Sequence, residues 1–122
     1  MKSKFSFLLD FTKLNVENCP WCNTKKSDYY FERLKEEVDE LSDALEKKDF
    51  DNTEEEIGDV LWDTLTLIYI LEKEGKVDSK RVIDRLIEKF DRRKPWLLKG
   101  EKVTSQEASR IWNEAKRLEK NK

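Results

Sequence analysis

The sequence predicts an all-α protein that is like a four-helix bundle, with a short N-terminal helix and a C-terminal helix. Its apolar residues recur every three or four positions, which is the spacing of one helix face. Only three Gly and two Pro occur in 122 residues, which leaves little room for a turn-rich β fold. Charged residues make up 43%, but the apolar residues are clustered, so we expect one folded domain over residues 1–122.

An irregular loop separates the first two predicted helices. Residues 3–14 have apolar residues at helical spacing, and residues 15–26 contain Pro and several Asn. Ser27 or Asp28 can cap a second helix that continues to about Lys48. The apolar stripe of this helix, which we expect to face the core, consists of Phe31, Leu34, Val38, Leu41 and Leu45.

Three further helices are predicted. The third is apolar nearly all round between Val60 and Leu71, so it should be the most buried, and Gly75 can end it. Gly58 costs about 1 kcal/mol relative to Ala in a helix, which predicts a close approach of another helix. Pro95 stops the fourth helix. Candidate N-caps are Asn52 or Thr53, Asp78 or Ser79, and Thr104 or Ser105. The apolar face of the fourth helix consists of Val82, Ile83, Leu86, Ile87 and Phe90.

Composition excludes several classes of function. The chain has no His, which removes Ser-His-Asp and Cys-His catalysis and His-ligated metal sites. The net charge of −2 does not argue for nucleic-acid binding. No apolar run approaches the roughly 20 residues of a membrane span, and the N-terminus lacks a signal-peptide cleavage site. We therefore expect a cytoplasmic protein.

Two predicted helices each carry a pair of acids three residues apart, Glu37 with Glu40 and Glu56 with Asp59. Residues at i and i+3 share one helix face, so two antiparallel helices could bring the four carboxylates together. Like charges in a partly dry site repel unless a cation lies between them. The spacing therefore predicts a hard-metal site, with Mg²⁺ as the first candidate and Mn²⁺ also suited.

The neighbouring acids have simpler explanations. Glu36 and Asp39 project towards solvent, and Glu54–Glu56 could complete a capping box. Neither explanation covers Asp59 or Asp63, because these residues lie in later turns on a face that becomes apolar further along. Buried acids need partners or a metal ion.

A basic cluster lies at the end of the fourth helix, where Lys89, Arg92 and Arg93 share one side. Two interpretations remain open at this point. The cations could simply suit a helix C-terminus. Beside a metal site, they could instead bind a polyphosphate.

Four segments of the chain, in order, resemble the MazG-type nucleoside triphosphate pyrophosphohydrolases. They are Asn18-Cys19-Pro20-Trp21, the acids Glu36-Glu37-x-x-Glu40 with Glu56-x-x-Asp59, Lys89-Phe90-Asp91-Arg92-Arg93-Lys94-Pro95, and Trp112-Asn113-Glu114-Ala115-Lys116. Two departures concern substrate choice rather than the metal site. Cys22 replaces an acid of the family pattern, and Lys94 replaces a His.

The resemblance implies an Mg²⁺-dependent enzyme that hydrolyses (d)NTPs between the α and β phosphates, using a metal-activated water. The products would be a nucleoside monophosphate and pyrophosphate, and the enzyme would be a homodimer or larger homo-oligomer. The implied metal ligands are Glu37, Glu40, Glu56 and Asp59. The implied catalytic pair is Glu36, which could orient water, and Glu37. The residues expected to bind substrate are Lys89, Arg92, Arg93 and Trp21, with Asp63 as an auxiliary that could accept a proton.

Three other interpretations fit parts of the sequence. Cys19 and Cys22 form a CxxC pair, but a structural zinc site usually needs four ligands, and a redox role usually has a βαβ context. A non-enzymatic helical interaction module would leave all the acids solvated. A ferritin-like dimetal protein would use Glu-x-x-His pairs, which this chain cannot supply.

Overall fold

The computed structural model describes residues 3–121, and within that range it is helical without any strand, which confirms the predicted fold class. None of these helices is long and apolar enough to cross a membrane. The chain divides into two compact units, one up to Ser79 and one from Lys80 onward. The helices are α1 (Lys4–Asn18), a 3₁₀ turn (Cys22–Thr24), α2 (Ser27–Glu46), α3 (Phe50–Lys73), α4 (Ser79–Arg93) and α5 (Ser105–Lys120).

An antiparallel α2–α3 hairpin, with α1 packed on α3, forms the first unit. The Ser27 N–H and hydroxyl, at the start of α2, donate to the Glu74 carboxylate at 2.9 and 2.7 Å. Glu74 follows the last turn of α3, so this contact joins the start of one helix to the end of the other. The prediction of Ser27 or Asp28 as the N-cap of α2 was wrong. Lys26 holds that position without a side-chain bond, and Glu74 satisfies the helix end instead.

Both ends of α3 have clear capping interactions. Asp49 accepts a hydrogen bond from the Asn52 N–H at 3.2 Å, so the helix begins earlier than the predicted cap at Asn52 or Thr53. The earlier carboxylate wins because it can reach the exposed N–H groups of the first turn. Gly75 has φ 77° and follows the helix end, as predicted. Its N–H and that of the next residue donate to carbonyls of the last turn, which forms a Schellman motif.

The core of the first unit lies where α1, the 3₁₀ turn and the hairpin meet. It consists of the buried residues Val16, Cys22, Tyr30 and Ile70. The Tyr30 hydroxyl donates to the Cys22 carbonyl at 3.1 Å, which ties the turn to α2. Within residues 3–121, α3 has the most buried positions, as predicted: Thr53, Asp63, Leu65, Thr66 and Ile70.

The inward face of α2 differs from the predicted one. Its buried residues are Tyr30, Glu37 and Ala44, whereas Phe31, Val38 and Leu45 of the predicted stripe are about half exposed. Leu34 and Leu41 of the predicted stripe are half-buried, so the inward face is shifted by only about 60° relative to the prediction. This shift places Glu37 near the centre of the inward face. The close helix approach predicted at Gly58 was also wrong, because a Cβ there would meet nothing within 4 Å among residues 3–121.

Helices α4 and α5 form the second unit, and neither has a fully buried residue. Thr104 caps α5, as one of the two predicted alternatives, by accepting from the Glu107 N–H at 3.1 Å. The Phe90 and Trp112 rings lie 5.9 Å apart between centroids. Most of the predicted apolar face of α4 stays exposed, namely Ile83, Leu86, Ile87 and Phe90.

Candidate metal centre

Three predicted metal ligands converge between α2 and α3. Glu37 from α2 and Glu56 and Asp59 from α3 each offer a carboxylate oxygen, and these oxygens lie within 4.8 Å of one another. The i,i+3 spacing puts Glu56 and Asp59 on one side of α3. The antiparallel pairing then brings the middle of α2 opposite them. The three acids thus form a compact cluster of hard oxygen donors.

Burial within this cluster is graded. Glu37 is 8% exposed, Glu56 is half-buried and Asp59 is exposed, so the cluster leads from the interior to the surface. Buried oxygens of Glu37 (Oε2) and Glu56 (Oε2) have no hydrogen-bond donor within the described residues. Such oxygens cost free energy unless a cation or a proton satisfies them. Unsatisfied carboxylate oxygens fit a hard divalent cation such as Mg²⁺ or Mn²⁺.

Crowding of the acids changes their proton affinity. Burial raises the pKa of Glu37 to about 7, with further contributions from a hydrogen bond to Glu40 and from the charges of Glu40 and Asp59. Burial is also the largest cause of the raised pKa of Glu56, with the charges of Glu40 and Asp59 adding to it. The metal-free cluster therefore tends to hold a proton near neutral pH.

Glu40 and Glu36 have different positions on α2. Glu40 is exposed, and its carboxyl lies within hydrogen-bonding reach of Glu37 and Glu56. The fourth predicted ligand thus lies beside Glu37 and Glu56 but outside the compact three-acid group. Glu36 is also exposed but lies outside the three-acid ligand group. Its role in orienting water stays a prediction.

Arg33 is the residue of this site that the sequence interpretation missed. Its Nη2 atom donates to Glu37 Oε1 at 3.2 Å, and its charge acts on Asp63. The signal for it was the i,i+4 spacing from Glu37. Asp63 is 6% exposed, and its Oδ2 atom has no donor among residues 3–121. Burial raises the pKa of Asp63, and Arg33 opposes that shift.

A cavity of about 510 Å³ opens beside the acids, and its lining residues all belong to the first unit. That volume falls within the usual range for small-molecule sites. At one end lie Glu37 and Asp59, and two helical turns away lie Tyr30 on α2 and Thr66 on α3. Trp21 lines this cavity and is 54% exposed, so its indole is available to a ligand. Its predicted role in substrate binding stays a prediction.

Both cysteines of the CxxC pair are free thiols on the same cavity wall. Cys22 is buried, and its Sγ accepts a hydrogen bond from Asn15 Nδ2 at 3.3 Å. The backbone N–H groups of Cys22 and Trp21 lower the pKa of the Cys19 thiol. The pair thus contributes to the core and the cavity wall.

The basic cluster lies in the second unit and already has an acidic partner. Glu119 on α5 accepts from Arg93 Nη2 at 2.9 Å and pairs with Arg92 Nε at 3.5 Å. The Arg93 guanidinium also stacks over Trp112, 4.9 Å from the ring centroid. A phosphate would have to compete with Glu119 for these two arginines. The predicted phosphate-binding roles of Lys89, Arg92 and Arg93 stay predictions.

Comparison with known proteins identifies a family for this chain. Residues 25–98 match the MazG nucleotide pyrophosphohydrolase domain. A MazG-related protein from Thermotoga maritima has a crystal structure that resembles this chain with a TM-score of 0.83 and 34% sequence identity. The similarity covers 91% of this chain and 97% of that one.

Curated relatives are longer proteins. The uncharacterized protein YabN of Bacillus subtilis is 35% identical over 104 residues, which is 84% of this chain and 21% of YabN. A nucleoside triphosphate pyrophosphohydrolase of Mycolicibacterium smegmatis is 34% identical over 105 residues, covering 83% of this chain and 32% of that protein. A protein of the same name from Escherichia coli K12 is 26% identical over 103 residues, covering 84% and 39%. The chain thus spans less than half the length of these relatives. The domain match extends over more than half of the chain, and the chain therefore belongs to the MazG nucleotide pyrophosphohydrolase domain family.

Proposed function

We propose that this chain hydrolyses nucleoside triphosphates between the α and β phosphates, in a reaction that depends on Mg²⁺ or Mn²⁺. The observation that carries the proposal is the cluster of Glu37, Glu56 and Asp59, whose ligand oxygens lie within 4.8 Å of one another. Glu37 and Asp59 also line a cavity of about 510 Å³. Family membership supports the reaction type. The products are a nucleoside monophosphate and pyrophosphate.

Four carboxylates would hold the cation. Glu37, Glu56 and Asp59 form the compact group, and Glu40 lies beside Glu37 and Glu56. When bound, such an ion supplies Lewis acidity towards phosphate oxygens and water. The unsatisfied Oε2 atoms of Glu37 and Glu56 support this assignment, since a cation would satisfy both.

The protein side chains position the site. Arg33 donates to one oxygen of Glu37 and leaves the other oxygen for the cation. The carboxylates stand on two packed helices, which hold them more rigidly than a loop would. The half-exposed indole of Trp21 is on the cavity wall, where a nucleobase could stack on it.

The direct test is product analysis. The purified chain is incubated with each common NTP and dNTP in Mg²⁺, and pyrophosphate and monophosphate are measured. We expect Glu37→Gln and Asp59→Asn to lower turnover by roughly 10²- to 10⁴-fold, the range for lost electrostatic and acid–base groups. The helical circular dichroism should be kept.

Matched controls are available on the same helices. Asp39 on α2 and Glu55 on α3 are exposed acids outside the ligand group, so Asp39→Asn and Glu55→Gln should keep near wild-type activity. Orthophosphate as the first product, or unchanged activity in Glu37→Gln and Asp59→Asn, would contradict the proposal.

We also propose that copies of this chain associate through the outer faces of α2 and α3. Phe31, Val38 and Leu45 recur every seven residues along α2, and each is about half exposed. Ile57 and Leu61 of α3 are exposed as well, at 53% and 39%. Large exposed apolar surfaces on otherwise charged helices usually mark interfaces. A homodimer or larger homo-oligomer would cover them.

A further inference from the structure

Asp63 is the buried acid that neither the ligand cluster nor the packing explains. It is 6% exposed, lies outside the group formed by Glu37, Glu56 and Asp59, and has an Oδ2 atom without a donor within residues 3–121. Arg33 acts on it electrostatically, but the same guanidinium donates to Glu37. The single Arg33 guanidinium thus interacts with two buried acids, Glu37 by a hydrogen bond and Asp63 through its charge. Asp63 keeps hydrogen-bonding capacity that a ligand could use.

The register of α3 indicates which part of a nucleotide lies there. Asp59, Asp63 and Thr66 all line the cavity. At 1.5 Å per residue, Asp63 lies about 6 Å along the helix from Asp59, and Thr66 about 10 Å. With the phosphates held at Asp59, the next group of any nucleotide is its sugar, and the base lies beyond it. The sugar therefore falls beside Asp63.

The chemistry of a carboxylate agrees with this placement. An ionised Asp accepts hydrogen bonds but cannot donate them, and it repels phosphate. Sugar hydroxyls are donors, and hydrogen bonds from hydroxyl to carboxylate are short and strong. We propose that Asp63 binds the sugar of the nucleotide by accepting a hydrogen bond from its 2′- or 3′-hydroxyl. This assignment rests on the proposed nucleotide hydrolysis.

Other roles for Asp63 predict different results. A purely structural pairing with Arg33 would affect stability and leave discrimination between sugars unchanged. A role as a further ion ligand or as a proton acceptor would lower turnover of every nucleotide by the same factor. Only a contact with the sugar makes the loss depend on the hydroxyls that the nucleotide carries.

The test compares kcat/KM for a ribonucleoside triphosphate and its 2′-deoxy and 2′,3′-dideoxy counterparts with the same base. In the wild type, removal of the hydroxyl that contacts Asp63 should lower kcat/KM by about ten- to hundredfold, the range for a hydrogen bond to a charged group. In Asp63→Ala the three nucleotides should react alike, at the level of the wild type with the dideoxy compound. Asp63→Asn should give an intermediate ratio. Thr64→Ala, at an exposed neighbouring position, should keep the wild-type ratios.

A second readout does not depend on turnover. Calorimetric Kd values are measured without a divalent cation for the ribo- and 2′,3′-dideoxynucleoside 5′-monophosphates, and the preference for the ribo compound should vanish in Asp63→Ala. Equal losses for all nucleotides, or a sugar preference that is the same in wild type and variant, would overturn the assignment. If Asp63→Ala does not fold, Asp63→Asn is judged by the same ratios. Absence of pyrophosphate release from every nucleotide by the wild type refutes the proposed hydrolysis, and the monophosphate Kd values then decide the sugar contact.

Discussion

The two faces of the α2–α3 hairpin both depart from the usual order of a folded domain. Beside the buried apolar residues Tyr30, Ala44, Leu65 and Ile70, the inner face also buries polar side chains, namely Glu37, Asp63 and Thr66, at 8%, 6% and 2% exposure. The outer face, defined by Phe31, Val38, Leu45, Ile57 and Leu61, leaves apolar side chains in solvent. Burial of unsatisfied polar atoms costs free energy, and so does exposure of large apolar groups. Both faces therefore fit the two proposals made above, in which a cation and a nucleotide satisfy the inner face and a second copy of the chain covers the outer face.

The largest expected effect concerns the outer face. Val38→Lys introduces a charge into the middle of the apolar row on α2 and should convert the proposed assembly into monomers, because burial of an unpaired ammonium is costly. Light scattering coupled to size-exclusion chromatography measures this change. Asp43→Lys is the control, since Asp43 is exposed on the same helix and lies about 140° round it from Val38, away from the apolar row. A wild type that is monomeric at micromolar concentration would contradict the proposed association through the outer face.

The second effect concerns the inner face and its dependence on pH. The pKa of Glu37 is about 7 in the folded protein, above the ordinary Glu value of about 4.3 in the unfolded chain. Protonation of Glu37 therefore stabilises the folded state fully below about pH 4.3, and this stabilisation is lost as the pH rises through about 7. Without divalent cations, Tm should therefore fall between about pH 4.5 and pH 7.5, and Glu37→Gln should flatten this slope.

Added Mg²⁺ should reverse the trend, because the cation binds the deprotonated carboxylates and its affinity rises with pH. A cation at 100 times its Kd stabilises the folded state by about 2.7 kcal/mol. Thermal unfolding at pH 6 and pH 8 measures both effects: the fall of Tm with pH in EDTA and the rise of Tm with Mg²⁺. A Tm that Mg²⁺ leaves unchanged at pH 8 would contradict the metal assignment.

A smaller effect is expected at the end of the hairpin. Gly75 has φ 77°, a conformation that costs an L-residue about 1–2 kcal/mol. Gly75→Ala should lower the free energy of unfolding by that amount, because Ala is strained in the Schellman motif. Activity and assembly should not change. Urea titration followed by circular dichroism measures it. A neutral result would mean that the turn rearranges without loss of the hairpin.

The smallest effect is expected at Gly58, beside the outer face. Gly58 lies next to Ile57 on α3, and a Cβ there would meet nothing within 4 Å in the part of the single chain that the structure describes. Gly58→Ala should therefore stabilise the isolated chain by about 1 kcal/mol through helix propensity. In the assembly, the same change should be neutral or destabilising if a second copy packs against this glycine. Urea titrations of the wild-type and Val38→Lys backgrounds distinguish the two results.

Local chemistry determined much of this protein from its sequence alone. Helical periodicity predicted the fold class, and the cap at Thr104 and the stop at Gly75 followed from side-chain and φ preferences. The i,i+3 spacing placed Glu56 and Asp59 on one side of α3, where the structure has them. These features depend on neighbours within one or two helical turns, so a linear sequence contains them.

Tertiary structure decided what depends on distant parts of the chain. Glu74 took over the capping of α2 from 47 residues away, a partner that no local pattern indicates. Rotation of α2 put Glu37 at the centre of the inner face, because periodicity identifies an apolar stripe without saying whether this chain or another one covers it. The same packing left Phe31, Val38 and Leu45 exposed and enclosed Asp63 beside Arg33. Sequence determined which helices form and which acids share a face, whereas packing between helices decided which of those faces became the site.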